Sequence, residues 1–94
     1  MRHAKRTDAT QEEIVKALRK IGCKVYILGL PLDLLVWHKD RTGGSRTMLI
    51  EVKVPGGSFT KQQIEFMAEW PGEIHVVRSP EEAVAKVIGK EAMR

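Results

Sequence analysis

Residues 49–67 read LIEVKVPGGSFTKQQIEFM and combine a strand, a glycine-rich turn and a helix. The strand is indicated by aliphatic residues that alternate with the charged Glu51 and Lys53. Pro55 and two glycines then interrupt the chain, and apolar residues recur at helical spacing after Thr60. This stretch therefore predicts a strand that is followed by a crossover helix.

The remaining sequence predicts five further elements around this unit. The pattern from Thr10 to Glu13 is that of a capping box and predicts a first helix over roughly residues 10–21, which Gly22 ends. Short strands are predicted at KVYILG (24–29), DLLVWH (33–38) and EIHVVR (73–78), and a last helix is predicted after Ser79-Pro80. The predicted order is αβββαβα, an α/β fold in which a mixed central sheet is flanked by helices on both faces.

The composition indicates a single domain, residues 1–94, with an anionic partner. The chain is 43% hydrophobic and 30% charged, and 16 Lys and Arg residues against 12 Asp and Glu residues give a net charge of +4. This charge favours nucleic acid as the partner. The basic residues that we expect to contact DNA phosphates lie in a basic N-terminal segment, residues 1–9, and around a Gly-Gly turn: Arg2, Lys5, Arg6, Lys39, Arg41 and Arg46. For the N-terminal three, a solvated terminus is the alternative.

Cysteine usage and hydropathy indicate the compartment. The single cysteine, Cys23, cannot form an internal disulfide, and no apolar run approaches the ~18 residues that a membrane span needs. The N-terminus also has no apolar signal core. We therefore expect a soluble, unprocessed protein in a reducing cytoplasm.

Three charged residues, Asp33, Glu51 and Lys53, lie where the apolar pattern predicts core. Buried charge is costly unless it is paired or bound to a metal. Glu51 and Lys53 are two apart and project from the same face of their strand. If the strands that carry Asp33 and Glu51 form a hairpin, the two carboxylates converge at one end of the sheet. A divalent cation such as Mg²⁺ would remove their repulsion, whereas a solvent-facing Glu-x-Lys pair is the alternative.

The order of these residues resembles that of a known nuclease superfamily. Pro31-Leu32-Asp33, an intervening hairpin and Glu51-Val52-Lys53 resemble the PD-(D/E)XK motif. The stretches GLPLDLLVW (29–37) and LIEVKVPGGSFTKQQIEFM are similar to the virus-type replication-repair nuclease family, VRR-NUC, in which a glycine-rich turn follows the lysine and a helix with a glutamine comes next. The resemblance covers about residues 10–78. It implies a restriction-endonuclease-like core with a divalent-metal site where two strands diverge.

The resemblance also implies roles for individual residues. Asp33, Glu51 and the backbone carbonyl of Val52 would hold Mg²⁺ or Mn²⁺. Lys53 would be the catalytic lysine, and Gln63 would be the motif glutamine of the family.

Two of the implied positions have alternatives. Gln63 lies three residues after Thr60, which is also the spacing of a capping box. In the first helix, related junction resolvases carry a glutamate where this chain has Gln11, so Gln11 or the nearby Glu13 would act at the metal. The alternative is that Glu13 only favours the positive end of the helix.

The function that the resemblance implies is structure-specific cleavage of DNA by hydrolysis of phosphodiester bonds. Minimal members of the family, from viruses and bacteria, resemble Holliday-junction resolvases, which act in DNA recombination and repair as homodimers on four-way junctions. A bacterial cell or a phage-infected host would then be the setting. We expect the second helix to form the dimer contact through Phe66, Met67 and Trp70.

Three alternatives remain open. A nuclease of the same fold would cut flaps or ordinary duplex DNA. A non-catalytic basic DNA-binding module would use the three buried charges only as an ion-pair network. A protein-interaction domain is the third.

Overall fold

The computed structural model describes the backbone of residues 2–92 and the side chains of residues 9–89. The elements follow the predicted αβββαβα order: α1 (Arg2–Lys20), β1 (Lys24–Ile27), β2 (Leu34–Lys39), β3 (Ser45–Val52), α2 (Lys61–Glu69), β4 (Glu73–Val77) and α3 (Pro80–Ala92). The sheet order is β1-β2-β3-β4, with β1, β2 and β3 antiparallel and β4 parallel to β3. The predicted mixed sheet with flanking helices is therefore confirmed. Among the described residues, no helix has the length and apolarity that crossing a membrane requires.

The first helix begins earlier than predicted. It starts at Arg2, so the capping pattern at Thr10 lies inside the helix and does not begin it. Residues 2–9 contain neither proline nor glycine, and nothing in them opposes a helical backbone. The helix ends as predicted at Gly22, which has φ +97°, and the Cys23 N–H donates to the Leu18 carbonyl over 3.0 Å in the pattern of a Schellman motif.

The core lies between the sheet and the pair α1 and α3. Alternate strand residues point to this face. The buried set combines β2, β3 and helix residues: Leu34, Val36, Met48, Ile50, Val52, Ile14, Leu18, Ala83 and Val87. The fold thus places a mainly apolar layer beneath the sheet and leaves Glu51 of β3 on the other face.

The opposite face of the sheet lies next to α2. The rings of Phe66 and Trp70 stack with their centroids 5.2 Å apart. These rings, with Leu35 and Leu49 of the sheet, line a cavity of about 370 Å³. All nine residues of α2 are described and none is buried.

Candidate active site

The β2–β3 hairpin brings the two carboxylates together. Leu34 and Ile50 are the last pair of residues between β2 and β3. Asp33, which precedes Leu34, therefore lies opposite Glu51, which follows Ile50. The Asp33 N–H donates to Glu51 Oε1 over 3.2 Å. The Val52 N–H donates to Asp33 Oδ2 over 2.8 Å. The predicted convergence of Asp33 and Glu51 is therefore confirmed.

Glu51 is a buried carboxylate with several partners. Its exposed fraction is 4%. Besides the Asp33 amide on Oε1, its Oε2 atom lies 3.3 Å from Lys53 Nζ and accepts a hydrogen bond of 2.9 Å from Gln63 Nε2. These contacts offset the cost of removing the charge from water. Glu51 is thus fixed in position by a lysine, an amide side chain and a backbone N–H.

Lys53 is held by the loop that follows β3. Its Nζ donates to the Ser58 carbonyl over 2.7 Å, and it lies 4.6 Å from the centroid of the Phe59 ring. The loop returns toward the lysine because the Gly57 N–H donates to the Val54 carbonyl over 2.9 Å, with Gly56 at φ +83°. This is the hydrogen bond and glycine position of a type II turn. The motif Pro-Gly-Gly therefore directs the next two residues onto the lysine.

Gln63 caps α2 and also reaches the carboxylate cluster, whereas its role as the motif glutamine of the family stays a prediction. Its Oε1 accepts from the Thr60 N–H, and its own N–H donates to Thr60 Oγ1, each over 3.1 Å, which forms the predicted capping box. Its Nε2 donates to Glu51 and, over 3.4 Å, to the Pro31 carbonyl. One side chain thus begins α2 and contacts the buried carboxylate. The adjacent Gln62 is exposed.

The electrostatics of the site favour added positive charge. The pKa of Asp33 is raised to about 6, mainly by burial and also by the negative charge of Glu51, whereas the hydrogen bond from the Val52 N–H and the charge of Lys53 oppose the rise. A carboxyl group with this pKa is mainly ionised at neutral pH although its surroundings disfavour the charge. A cation placed between Asp33 and Glu51 would relieve this penalty.

The type and the number of oxygen donors at this site suit a hard cation. In a strand, the N–H and C=O of one residue point to the same edge, so the Val52 carbonyl faces the side of Asp33. Two carboxylates and one carbonyl supply only oxygen donors. Within residues 9–89, no group of three or more His, Cys, Asp or Glu side chains is placed to hold a metal. Gln11 is half-buried and Glu13 is exposed, and Glu13 does not form such a group with the two carboxylates.

The predicted DNA contacts differ in their surroundings. Lys39 and Arg41 are exposed at the turn between β2 and β3. The side chains of Arg2, Lys5 and Arg6 lie outside the described residues. For these five residues, contact with phosphate stays a prediction.

Arg46 has a structural role that the sequence analysis missed. Its guanidinium donates to the Glu73 carboxylate and to the Val87 and Lys86 carbonyls of α3. The hydrogen bond from Arg46 holds the pKa of Glu73 below its usual value, and His75, 2.7 Å from Glu73, acts in the same direction. Glu73 and His75 are two apart on β4, which is the sequence signal that would have suggested this pair. Contact of Arg46 with phosphate remains untested.

Phe59 and Ser58 were also missed as site residues. An aromatic residue before a helix N-cap has a common structural explanation, and the use of a backbone carbonyl leaves no mark on the sequence. Only the folded turn brings these groups to Lys53.

Comparisons of the chain with models of protein families, with curated proteins and with solved structures found no match.

Proposed function

We propose that this chain is a divalent-metal-dependent endodeoxyribonuclease of the PD-(D/E)XK type, similar to the VRR-NUC family. The observation that supports this most is the cluster of Asp33, Glu51 and Lys53 at one end of the β2–β3 pair, where Glu51 is buried and Lys53 is 3.3 Å from it. Partly buried charge of this kind is costly in a hydrophobic sheet unless it is paired or bound to a metal. It has a clear use in phosphodiester hydrolysis, which needs a metal site beside a positive charge.

The residues present fit Mg²⁺ or Mn²⁺. Asp33, Glu51 and the Val52 carbonyl would hold the ion, and water and a phosphate oxygen would fill the other positions, as is usual for Mg²⁺. When bound, the ion supplies a Lewis acid for the phosphoryl oxygen and lowers the pKa of a coordinated water. The unfavourable charge on Asp33 supports this assignment, because a cation would remove the penalty.

The protein groups around this site have separate tasks. The Lys53 ammonium lies beside Glu51, where it would stabilise the charge that develops on the phosphate oxygens. Gln63 holds the Glu51 carboxylate in one orientation through its Nε2. The Val52 N–H does the same for Asp33. Such fixed orientation lowers the cost of assembling the reactive geometry.

The substrate that we propose is branched DNA, with a four-way Holliday junction cut by a homodimer. A chain of 94 residues has little surface with which to bind a junction, and a dimer doubles that surface. The net charge of +4 and the exposed Lys39 and Arg41 suit phosphate contacts. On α2, the capping Trp70 is 43% exposed, which suits the expected dimer contact beside Phe66 and Met67. Flaps or ordinary duplex DNA are the alternative substrates for the same chemistry.

A non-catalytic DNA-binding module is the second candidate. One observation favours it: Glu51 is already paired with Lys53 and hydrogen-bonded to Gln63 without any metal. In that case the cluster would be a structural ion-pair network, and DNA binding would not depend on a divalent cation.

Cleavage assays separate these candidates. Wild type, Lys53→Ala and the control Lys61→Ala, which changes an exposed lysine of α2, are incubated with a labelled four-way junction and a matched linear duplex in Mg²⁺, Mn²⁺ or EDTA. We expect paired symmetric nicks in the junction that require metal and Lys53 but not Lys61. Cleavage of both DNAs would indicate a general nuclease. Metal-independent binding without cleavage would refute the nuclease and support the binding module.

A further inference from the structure

The ammonium group of Lys53 has three neighbours of different chemistry. Glu51 Oε2 lies at 3.3 Å, the Ser58 carbonyl oxygen at 2.7 Å and the Phe59 ring centroid at 4.6 Å. The exposed fraction of the lysine side chain is 12%. A long and flexible side chain is thus confined to one place by groups on two sides of it.

The Phe59 ring differs from the two oxygen neighbours because it uses no N–H donor of the Lys53 ammonium. An ammonium has three N–H donors; one donates to the Ser58 carbonyl, and Glu51 Oε2 forms an ion pair with the group at 3.3 Å. A ring face attracts the positive charge through its quadrupole and offers no lone pair. At least one N–H is therefore not committed to an oxygen acceptor of the loop. A phosphate oxygen that approached the site could accept it without first displacing a strong hydrogen bond.

The position of Phe59 is set by the elements on either side of it. The turn formed by Val54 to Gly57 precedes it, and Thr60, the N-cap of α2, follows it directly. A Cβ at Gly57 would lie 3.1 Å from the Val54 carbonyl oxygen and 3.5 Å from Lys53 Cδ. The turn therefore packs closely against the lysine stem, and the capping box fixes the other end of the short connection.

The usual role of an apolar residue before an N-cap is a hydrophobic staple to the fourth helical residue. In this chain that partner would be Ile64, which is 55% exposed, whereas Phe59 is half-buried with its ring against the Lys53 ammonium. The contact with the Lys53 ammonium therefore explains the position of the Phe59 ring better than a hydrophobic staple does.

We propose that Phe59 is a positioning residue, whose ring holds the Lys53 ammonium beside Glu51 while leaving one N–H free for a phosphate oxygen of the substrate. The position of the lysine is a property of the folded chain, and its use in cleavage rests on the proposed function. Phe59 touches neither the expected metal position nor the reacting atoms, so its effect is exerted through Lys53.

The test uses two readouts on full-length protein. Phe59→Leu keeps an apolar side chain and removes the ring, Phe59→Tyr keeps the ring, and Ile64→Ala is the control for a staple. The first readout is the proton chemical shift of the Lys53 Cε methylene, which the ring current moves upfield. The second is junction cleavage, analysed as kcat and KM in Mg²⁺.

We expect the upfield shift in wild type, Phe59→Tyr and Ile64→Ala, and its loss in Phe59→Leu. We expect kcat to fall by about 2- to 30-fold in Phe59→Leu, the range that corresponds to a cation–π contact, with little change in KM and with recovery in Phe59→Tyr. Thermal melts of the variants confirm that each remains folded.

The two readouts keep this inference apart from the proposed function. The role of Phe59 would be overturned if the proton chemical shift of the Lys53 Cε methylene were not moved upfield in folded wild type. Equal kcat values for wild type and Phe59→Leu would also overturn it. Loss of activity in Ile64→Ala as large as that in Phe59→Leu would also overturn it in favour of a staple. A wild-type protein that has the upfield shift but cuts no DNA would support the placement of Lys53 by Phe59 and refute the nuclease.

Discussion

Replacement of Gln63 by alanine should destabilise the protein far more than its partly exposed position suggests. The substitution removes the hydrogen bond from the Thr60 N–H to Oε1, at 3.1 Å, and the hydrogen bond from Nε2 to buried Glu51, at 2.9 Å. A neutral hydrogen bond contributes about 0.5–1.5 kcal/mol, and a bond to a charged group about 1.5–3 kcal/mol. We therefore expect the free energy of unfolding to fall by about 2–4 kcal/mol, a large part of the stability of a small domain.

Urea denaturation followed by circular dichroism measures this change, with the slope m as a check that the unfolding transition is unaltered. Gln62→Ala is the matched control, because the Gln62 side chain is exposed and because the substitution makes the same change in helix propensity. We expect the control to stay within about 0.5 kcal/mol of wild type. A Gln63→Ala variant as stable as Gln62→Ala would show that the double role of Gln63 is wrong.

Three further predictions concern charge, metal and packing. Because the pKa of Asp33 is raised to about 6, the folded protein binds a proton at Asp33 more tightly than the unfolded chain does, and the free energy of unfolding should fall as pH rises from about 4 to 6. Asp33→Asn should reduce this fall by about 1 kcal/mol after allowance for partial solvent exposure. Asp40→Asn should not reduce it, and chemical denaturation across this pH range tests both variants. Mg²⁺ or Mn²⁺ should raise the melting temperature of wild type but not of Glu51→Gln in differential scanning fluorimetry; an equal rise in both would exclude Glu51 as a ligand. Arg46→Ala should lower stability by about 1–3 kcal/mol, because it removes the guanidinium that donates to Glu73 and to two α3 carbonyls, whereas exposed Arg41→Ala should change it by less than about 0.5 kcal/mol in the same urea assay.

The sequence predicted those features that depend on short-range patterns. The turn after β3 and the start of α2 at Thr60 follow from proline, glycine and capping residues that act within a few positions. The meeting of Asp33 and Glu51 followed from hairpin register, since one antiparallel pairing fixes all the others along it.

The missed features depend on contacts between distant parts of the chain or on the absence of a signal. Arg46 reaches the Val87 carbonyl, 41 positions away, only after α3 has packed against the sheet. The extension of α1 to Arg2 was missed because the capping pattern at Thr10 gave a plausible start, and a helix continues wherever nothing stops it. The aromatic contact on Lys53 required the path of the loop, which the sequence specifies only as a turn.

The way α2 is attached has a consequence for local unfolding. With no buried residue of its own, this helix gains little from apolar packing, and its first turn is tied to the sheet through the Gln63 side chain. Opening of that turn therefore removes the Gln63 hydrogen bond from the Glu51 carboxylate, which Asp33 and Lys53 continue to hold. The free energy of this opening should lie well below that of global unfolding. Amide hydrogen exchange at the start of α2 would then report, in the native protein, how often Gln63 leaves the Glu51 carboxylate.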